Sequence, residues 1–356
     1  MGNKSRVIGL LILLAVIGIG AAYLLLGGGA APAAAAALRG YVGGEKIGLL
    51  EDPEVQAILA DDYRLTLDYA KAGSLDMVAA DQTGRDFLFP SSQNALEYYQ
   101  QIHGAPVKSE IIFNTPLVLY THTPVLEAFL ARGLAAERDG CYYMDMAGLA
   151  ALMEAGTSWA ELGLPELYGP VAVSTTDPVR SNSGNMFAGL LANVLCGGVA
   201  DEASVEAVLP RLQTIFEKLG YMEASSSDLF DQFLKTGMGA KPIIAAYENQ
   251  LLEFAAENPD DWAQLQDDIV LVYPTPTVWS SHIYIATDEA GTAGIDALLD
   301  DQVQQLAWEK HGFRTEVSGT ESGSDHFQVP HLAGEITQVV SMPNYATMEK
   351  IIAALT

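Results

Sequence analysis

Short apolar runs alternate with longer amphipathic stretches along this sequence from residue 45 onward. A strand in a parallel sheet is buried on both faces and reads as a short apolar run, whereas a connecting helix is longer and has one apolar face. Hydrophobic residues make up 49% of the chain and charged residues 18%, which is enough apolar surface for a buried core. The alternation therefore predicts an α/β fold, with mostly parallel sheets flanked by helices.

Eight apolar runs are predicted as strands: Lys46–Leu50, Leu65–Tyr69, Asp86–Phe89, Ile111–Tyr120, Val171–Ser174, Ile243–Tyr247, Ile269–Val272 and His282–Ala286. A chain of 356 residues is too long for one small core, so two lobes are expected. The long run Ile111–Tyr120 and the segment Tyr273–Ser281 are predicted to cross between the lobes. This predicts a first lobe of residues 45–115 plus 275–356, and a second lobe of residues 116–274.

The N-terminus carries a targeting signal. Lys4 and Arg6 precede an apolar run from Val7 to Leu26, which has the roughly 20 residues that a membrane-spanning helix needs. Residues 1–26 are therefore predicted to be a signal anchor or signal peptide, with everything after them outside the cytoplasm. Residues 27–44 are rich in glycine and alanine and are predicted to be a flexible tether.

The net charge of −27 argues against a nucleic-acid partner, because an anionic surface repels phosphate backbones. Only two cysteines are present, Cys141 and Cys196. An exported compartment would allow them to form a disulfide, and two separate buried thiols are the alternative.

Candidate ligand-binding residues lie in the loops that follow predicted strands, because ligands of open α/β sheets bind outside the carboxyl ends of the strands. Four such loops carry suitable polar groups. They supply Glu51 and Asp52, then Gly73 and Ser74, then Ser91 and Ser92, and finally Tyr247 and Glu248. Helix capping alone would explain several of them, above all Asp52 before Pro53.

The strongest local signal is the segment 174–184, where hydroxyl and amide groups concentrate ahead of an apolar helix. Its predicted ligand-binding residues are Thr176, Asp177, Ser181, Asn182, Ser183 and Gly184. Free amide donors at a helix N-terminus can bind an anion or a polar head group without a lysine.

These loops, in this order, resemble those of type II periplasmic (extracellular) solute-binding proteins, and most closely the molybdate-like branch of ABC-transporter substrate-binding proteins. The resemblance covers about residues 45–315 and rests on three segments: Ala72-Gly73-Ser74, Asp86 through Ser92, and Thr176 through Gly184. It implies a two-lobed fold that binds a small ligand between its lobes. It also implies a membrane permease as partner, a monomeric state, an extracytoplasmic location and no cofactor.

One departure from the family concerns the ligand. Glu51, Asp52 and Glu248 would place carboxylates where oxyanion binders carry small hydroxyl residues. A carboxylate facing a dianion is costly, so a cation, an amine or a polar neutral solute is expected as readily as molybdate or sulfate.

Two other functions are weighed against transport. A membrane-anchored sensor would close on its ligand in the same way. An anchored enzyme is disfavoured, because the sequence lacks the Gly-x-Ser-x-Gly, His-Glu-x-x-His and phosphate-loop motifs. Asp325, His326 and His331 are close in sequence, but their spacing is not that of a standard metal site, so no metal is predicted.

Overall fold

The computed structural model describes residues 36–315 and 327–356. The predicted membrane segment, residues 1–26, lies outside this part of the chain, as do the first nine residues of the predicted tether. No helix within the described residues is both long enough and apolar enough to cross a membrane.

The described residues form nine strands: β1 Ala36–Val42, β2 Leu65–Lys71, β3 Phe87–Phe89, β4 Lys108–His122, β5 Ala135–Arg138, β6 Cys141–Asp145, β7 Ile243–Tyr247, β8 Ile269–Thr275 and β9 Trp279–Ala286. Their order across the sheet is β2-β1-β3-β9-β4-β8-β6-β5, and β7 also pairs with β4.

The α-helices of the described residues are Ile47–Glu51, Pro53–Asp61, Ser74–Ala79, Gln93–His103, Thr123–Ala131, Met146–Ala155, Asn182–Cys196, Leu209–Phe216, Ser226–Thr236, Glu248–Glu257, Pro259–Leu265, Thr292–Leu298, Asp301–Glu309 and Tyr345–Leu355. Short 3₁₀ turns occur at Gly44–Lys46, Ala160–Leu162 and Val205–Ala207.

Strand β4 belongs to both halves of the sheet. Residues 108–116 pair antiparallel with β9, and residues 117–122 pair antiparallel with β7 and β8. We call the half with β1, β2, β3 and β9 the first lobe, and the half with β5 to β8 the second lobe. Only β1–β2, β1–β3 and β6–β8 pair parallel in the described residues, so the expectation of mostly parallel sheets is wrong. The sheet is mixed because β4 and β9 run side by side in opposite directions.

The tether prediction is wrong from residue 36 onward, because Ala36–Val42 is strand β1, between β2 and β3. Leu38, Gly40 and Val42 point to one buried face, which is the period of two expected for a strand. Gly40 is required there, since a Cβ atom would collide with the carbonyl oxygen and ring of Phe87. The alanine-rich composition concealed this alternation.

Two predicted strands are absent from the structure. Lys46 ends a 3₁₀ turn, and the residues after it form the helix Ile47–Glu51. The prediction was wrong because a short apolar run has the same pattern in a buried strand and in a buried helix. Val171–Ser174 is irregular and makes a single bridge from Ser174 to Ile244. Its valines are nevertheless buried in the core of the second lobe.

The core consists of separate apolar clusters that follow the two lobes. Phe89, Phe113 and Tyr284 pack together in the first lobe. In the second lobe, alternate β4 residues face different clusters, with Leu117 on one side of the sheet and Val118 on the other. The crossing strand is thus buried on both faces along its second half.

The C-terminal residues depart from the predicted lobe boundaries. Met348 and Ile351, in the last helix, are buried in the second-lobe cluster with Phe187 and Ile215. Phe327 belongs to the cluster on the other side of that sheet. Assigning residues 327–356 to the first lobe is therefore wrong, because the apolar face of the last helix packs against the helices Asn182–Cys196 and Leu209–Phe216. The remaining boundaries stay a prediction.

Cys141 and Cys196 are both free thiols, so they do not form the disulfide that the sequence allowed. Cys141 lies in the cluster with Val118, whereas Cys196 packs against the cluster with Leu117. The two thiols are therefore on opposite faces of the second-lobe sheet.

A buried ion pair ties the region after the helix Asp301–Glu309 to the second lobe. The Arg314 guanidinium donates from Nε and Nη2 to the two Glu248 carboxylate oxygens, at 2.6 and 2.9 Å. Tyr273 donates its hydroxyl to the same carboxylate at 2.5 Å. The Glu248 side chain is fully buried, so its charge depends on these donors.

Replacing Arg314 with methionine should lower the free energy of unfolding by about 3–5 kcal/mol, because the Glu248 charge would stay buried without its counter-ion. Adding Glu248→Gln should recover part of that loss by removing the charge. Arg39→Met is the matched control, since the Arg39–Asp68 pair is exposed and joins atoms 3.5 Å apart. Urea unfolding of the four proteins measures the effect, and equal losses for Arg314→Met and Arg39→Met would contradict it.

Candidate ligand-binding site

A cavity of about 320 Å³ opens between the two lobes. Its lining residues are Gly43, Gly44, Glu45, Lys71, Ala72, Gly73, Ser74, Asp76, Arg180, Ser181, Asn182, Ala224, Ser225, Ser226 and Tyr247. Those numbered 43–76 come from the first lobe, and those numbered 180–247 come from the second. A molecule in this cavity would therefore contact both lobes.

Strand ends explain why these residues meet. Three lining segments begin where β1, β2 and β7 end, at Val42, Lys71 and Tyr247. Helices or a 3₁₀ turn begin directly after these segments, so their N-termini point toward the cavity. Of the residues predicted at these strand ends, Gly73, Ser74 and Tyr247 line the cavity.

Ser91 is the centre of a buried hydrogen-bond network behind the cavity. Its backbone N–H donates to the Ser74 hydroxyl at 3.0 Å, and its carbonyl accepts from the Ser280 hydroxyl at 2.8 Å. Its own hydroxyl contacts the Lys46 ammonium at 2.6 Å and donates to the Glu45 carboxylate. The Ser91 loop is thereby fixed to the strand ends that line the cavity.

Glu45 and Lys46 form an ion pair of 2.6 Å with little solvent contact. Burial would raise the pKa of the Glu45 carboxyl, but the charges and hydrogen bonds of its neighbours, Lys46 first among them, lower it to about 2. Burial lowers the pKa of the Lys46 ammonium, and the Glu45 carboxylate partly offsets that effect. The opposite charges of the two groups lie in contact, so the pair adds little net charge beside the cavity.

His282 completes this cluster from strand β9, with Nδ1 at 3.2 Å from the Lys46 ammonium. Burial and the adjacent Lys46 charge hold the pKa of His282 well below its usual range. The imidazole is therefore neutral, so Nδ1 can accept from the ammonium.

Asn182 joins the two lobes across the cavity. Its side-chain amide donates to the Ser91 carbonyl in the first lobe at 2.8 Å and to the Tyr247 hydroxyl in the second at 3.0 Å. Burial, followed by the Glu45 charge, raises the pKa of the Tyr247 phenol, so this hydroxyl keeps its proton. The lobes are thus in contact through a residue that also lines the cavity.

The segment 174–184 is held together by its own polar groups. The Thr176 and Ser183 hydroxyls lie 2.7 Å apart, and the Ser181 hydroxyl is 3.3 Å from that of Ser183. Gly184 allows the helix to start against Thr176, because a Cβ atom there would collide with the Thr176 carbonyl oxygen. Asp177 accepts from the Val179 N–H at 2.8 Å and shapes the loop. Of the six residues predicted here, only Ser181 and Asn182 line the cavity.

Three predicted carboxylates lie away from the cavity, so placing them in the cleft was wrong. Glu51 is exposed at the end of a helix. Asp52 caps the following helix by accepting from the Glu54 N–H at 2.7 Å, and it pairs with Lys310 at 2.9 Å. The buried Glu248 carboxylate forms an ion pair with the Arg314 guanidinium. Ser92 also serves as a cap, accepting from the Asn94 N–H at 3.2 Å.

Several lining residues were missed by sequence reasoning: Glu45, Lys71, Asp76, Arg180, Ser225 and Ser226. Lys46 and His282, behind the cavity, were missed as well. The signal for Glu45 was the sequence Gly43-Gly44-Glu45-Lys46 directly after the alternation of β1. Treating residues 27–44 as a tether moved the expected strand end from Val42 to Leu50.

Among the described residues, Glu253, Glu257 and His311 bring their side-chain ligand atoms within 4.8 Å of one another, as a metal site would require. However, His311 Nδ1 lies 2.6 Å from the Glu253 carboxylate, and Nε2 lies 3.4 Å from that of Asp52. These hydrogen bonds account for the cluster without an ion. Of the predicted histidine group, Asp325 and His326 lie outside the described residues.

The lowered pKa of Glu45 gives a pH-dependent contribution to stability. Because the folded-state pKa of about 2 is below the ordinary 4.5, the contribution is complete above about pH 4.5. It is lost as the pH falls toward 2. The stability difference between the native chain and a Glu45→Gln variant should therefore be largest near neutral pH and shrink across this window. Urea unfolding at several pH values measures it, and a difference independent of pH would contradict this assignment.

Comparison with known proteins supports this view of the fold. No protein-family model matches the sequence, and no curated protein sequence matches it either. Solved structures do match along most of the chain. A periplasmic thiamin binding protein superposes with a TM-score of 0.61 at 12% identity, covering 90% of this chain and 96% of that protein.

Two further structures are similar. The sulfate-binding protein SubI from Mycobacterium tuberculosis has a TM-score of 0.54 at 16% identity, covering 88% of this chain and 95% of its own. The periplasmic binding protein AfuA from Actinobacillus pleuropneumoniae, with fructose-6-phosphate bound, has a TM-score of 0.57 at 10% identity, covering 89% and 96%. The chain thus has the mixed α/β, two-lobed fold of type II periplasmic solute-binding proteins.

Proposed function

We propose that this chain is an extracytoplasmic solute-binding protein that captures a small polar or ionic ligand for an ABC-type importer. The observation that carries the proposal is the cavity between the lobes, which both lobes line with polar groups. A ligand there would add contacts between the lobes and so favour the closed form over an open one.

The similar structures support this function through their fold, because each of the three is named as a binding protein for a small solute. Their names record different ligands: thiamin, sulfate and a sugar phosphate. The fold therefore supports solute binding, whereas the ligand must be argued from the cavity. Membership of the molybdate-like branch stays part of the proposal and rests on the order of the loops. Glu51, Asp52 and Glu248 lie outside the cavity, but Glu45 and Asp76 line it, so an oxyanion would still bind beside carboxylates.

The location and partners follow from the sequence. The apolar run Val7–Leu26 would anchor the protein in the membrane or direct its export. A permease in the same membrane would receive the ligand. The net charge of −27 disfavours nucleic acid, and we propose that the protein acts as a monomer without an enzymatic role.

The first experiment is a thermal-shift screen of the full chain against oxyanions, organic anions, metals, amines, amino acids and neutral sugars. A ligand present at a hundredfold excess over its dissociation constant should stabilise the folded protein by about 2.7 kcal/mol. If no small solute stabilises the protein, the proposed function is wrong.

Asn182→Ala tests whether the bound solute occupies the cavity. This variant loses the hydrogen bonds to Ser91 and Tyr247 as well as a lining side chain. Affinity measured by calorimetry should fall roughly tenfold. Asn258→Ala is the matched control, because the Asn258 side-chain amide donates to the Phe254 carbonyl at 3.2 Å and does not line the cavity. Equal affinity for Asn182→Ala and the native chain would place the ligand elsewhere.

A further inference from the structure

We propose that the ligand is a small organic anion: its anionic group binds near Lys71, Arg180 and Ser226, and a hydroxyl or amine group on the same molecule faces Glu45. This inference rests on the proposed function and specifies the chemistry of its ligand. Four independent features of the cavity support it.

The first feature is local charge. The chain has 18 lysine and arginine residues against 45 aspartate and glutamate residues, so a site chosen at random would be acidic. The cavity instead carries Lys71 and Arg180, with Lys46 directly behind it, against Glu45 and Asp76. Its surroundings are therefore slightly cationic within a strongly anionic protein.

The two lining cations are also available. Neither Lys71 nor Arg180 forms a side-chain ion pair or hydrogen bond within the described residues, although acidic groups are abundant in this chain. The Lys71 side chain lies over Gly44, where a Cβ atom would collide with it. Gly44 therefore lets the Lys71 ammonium approach the backbone at the cavity.

The second feature is a pair of helix N-termini. The helices Asn182–Cys196 and Ser226–Thr236 both begin at the cavity. The side chains of their N-cap residues, Ser181 and Ser225, accept no hydrogen bond from a backbone N–H of the first turn. Backbone N–H groups of both first turns therefore stay free to donate, and the positive ends of both helix dipoles favour a negative charge between them.

The third feature is the Ser226 hydroxyl. Ser226 is 8% exposed and lines the cavity, and its hydroxyl makes no hydrogen bond to another described residue. The hydroxyl oxygen is not among the fully buried polar atoms without a partner, so it is open to the cavity and can donate to a ligand oxygen there. This side chain points to an acceptor in the ligand at the same place as the free helix amides.

The fourth feature is Glu45 on the first-lobe side. Its Oε1 accepts from Lys46 and Ser91, whereas its Oε2 has no partner among the described residues. Glu45 lines the cavity, so Oε2 can accept from a ligand hydroxyl or amine. An inorganic oxyanion without protons offers no such donor, so the Glu45 carboxylate selects against it.

The volume of the cavity agrees with an organic molecule. Its 320 Å³ is the space of roughly ten water molecules, at about 30 Å³ for each. A bare oxyanion of five heavy atoms would leave much of that space unfilled. The volume lies at the lower end of the range of about 300–1,000 Å³ for small-molecule pockets.

The test compares four probes on the full chain near neutral pH and at constant ionic strength: glycerol 3-phosphate, sulfate, glycerol and ethanolamine. Calorimetry should show that glycerol 3-phosphate binds more tightly than the other three, because it alone combines an anionic group with neighbouring hydroxyls. Tighter binding of sulfate would show that the ligand is a bare oxyanion, and tighter binding of glycerol or ethanolamine would overturn the anionic assignment. Failure of both glycerol 3-phosphate and sulfate to bind at millimolar concentration would overturn it too.

Variants separate the two ends of the cavity. Arg180→Gln should weaken glycerol 3-phosphate binding by tenfold or more, and Ser226→Ala by about threefold to tenfold. Glu45→Gln should reduce the preference for glycerol 3-phosphate over sulfate. Lys350→Gln is the control for net charge, because Lys350 is on the last helix and pairs with Glu206 at 3.2 Å. Equal losses for Arg180→Gln and Lys350→Gln would overturn the assignment of the anionic end.

One outcome distinguishes this inference from the proposed function. A neutral or cationic solute whose binding is lost in Asn182→Ala would overturn the organic anion and leave solute binding intact. If no solute of any class stabilises the protein, both are contradicted.

Discussion

The continuous strand β4 is the constraint on which the rest of the structure depends. It pairs with β9 in the first lobe and with β7 and β8 in the second, so it is part of both hydrogen-bonded ladders. The lobes cannot separate without breaking that strand. A rotation of one lobe relative to the other needs only a few hinge residues to change their backbone dihedral angles, so the strand is compatible with it. The cavity opens beside this connection and is lined from both lobes. Motion about β4 would therefore change the distance between its two walls.

A buried network of charged and polar side chains lies directly behind the first-lobe wall of the cavity. Lys46, Glu45, Ser91 and His282 are joined by short contacts in a region with almost no solvent. Burying a charge is costly unless it is paired and hydrogen-bonded, and here each charge has a partner. The network fixes the first-lobe wall. The second-lobe wall presents two helix N-termini, the Ser226 hydroxyl and Arg180, whose side chain has no partner among residues 36–315 and 327–356. A ligand between the two walls would therefore contact the fixed first-lobe network on one side and accept hydrogen bonds from the second-lobe donors on the other.

Much of the fold was predictable from the sequence, because the period of apolar residues reports burial directly. Strand β7 matches its predicted bounds, and the long crossing strand was recognised from its length. Strand direction was not predictable, since an apolar run has the same pattern in either pairing. Residues 36–42 were missed because alanine and glycine gave a buried strand the composition of a linker. The sequence therefore predicts the first strand end at Leu50 and a site residue at Glu51, whereas the structure has that strand end at Val42 and Glu45 lining the cavity. Loop residues that follow correctly predicted strands, such as Ser74 and Tyr247, also line the cavity.

The central claim is that a ligand held between the lobes draws them together. The distance between spin labels on the two lobes tests it most directly. Asp68→Cys places one label on β2, and Lys235→Cys places the other on the helix Ser226–Thr236; both native side chains are mostly exposed. Cys141 and Cys196 would be replaced by alanine, because both are free thiols. The account predicts a broad distribution of label distances without ligand and a narrower, shorter one at saturation. An unchanged distribution with a ligand shown to occupy the cavity would contradict it.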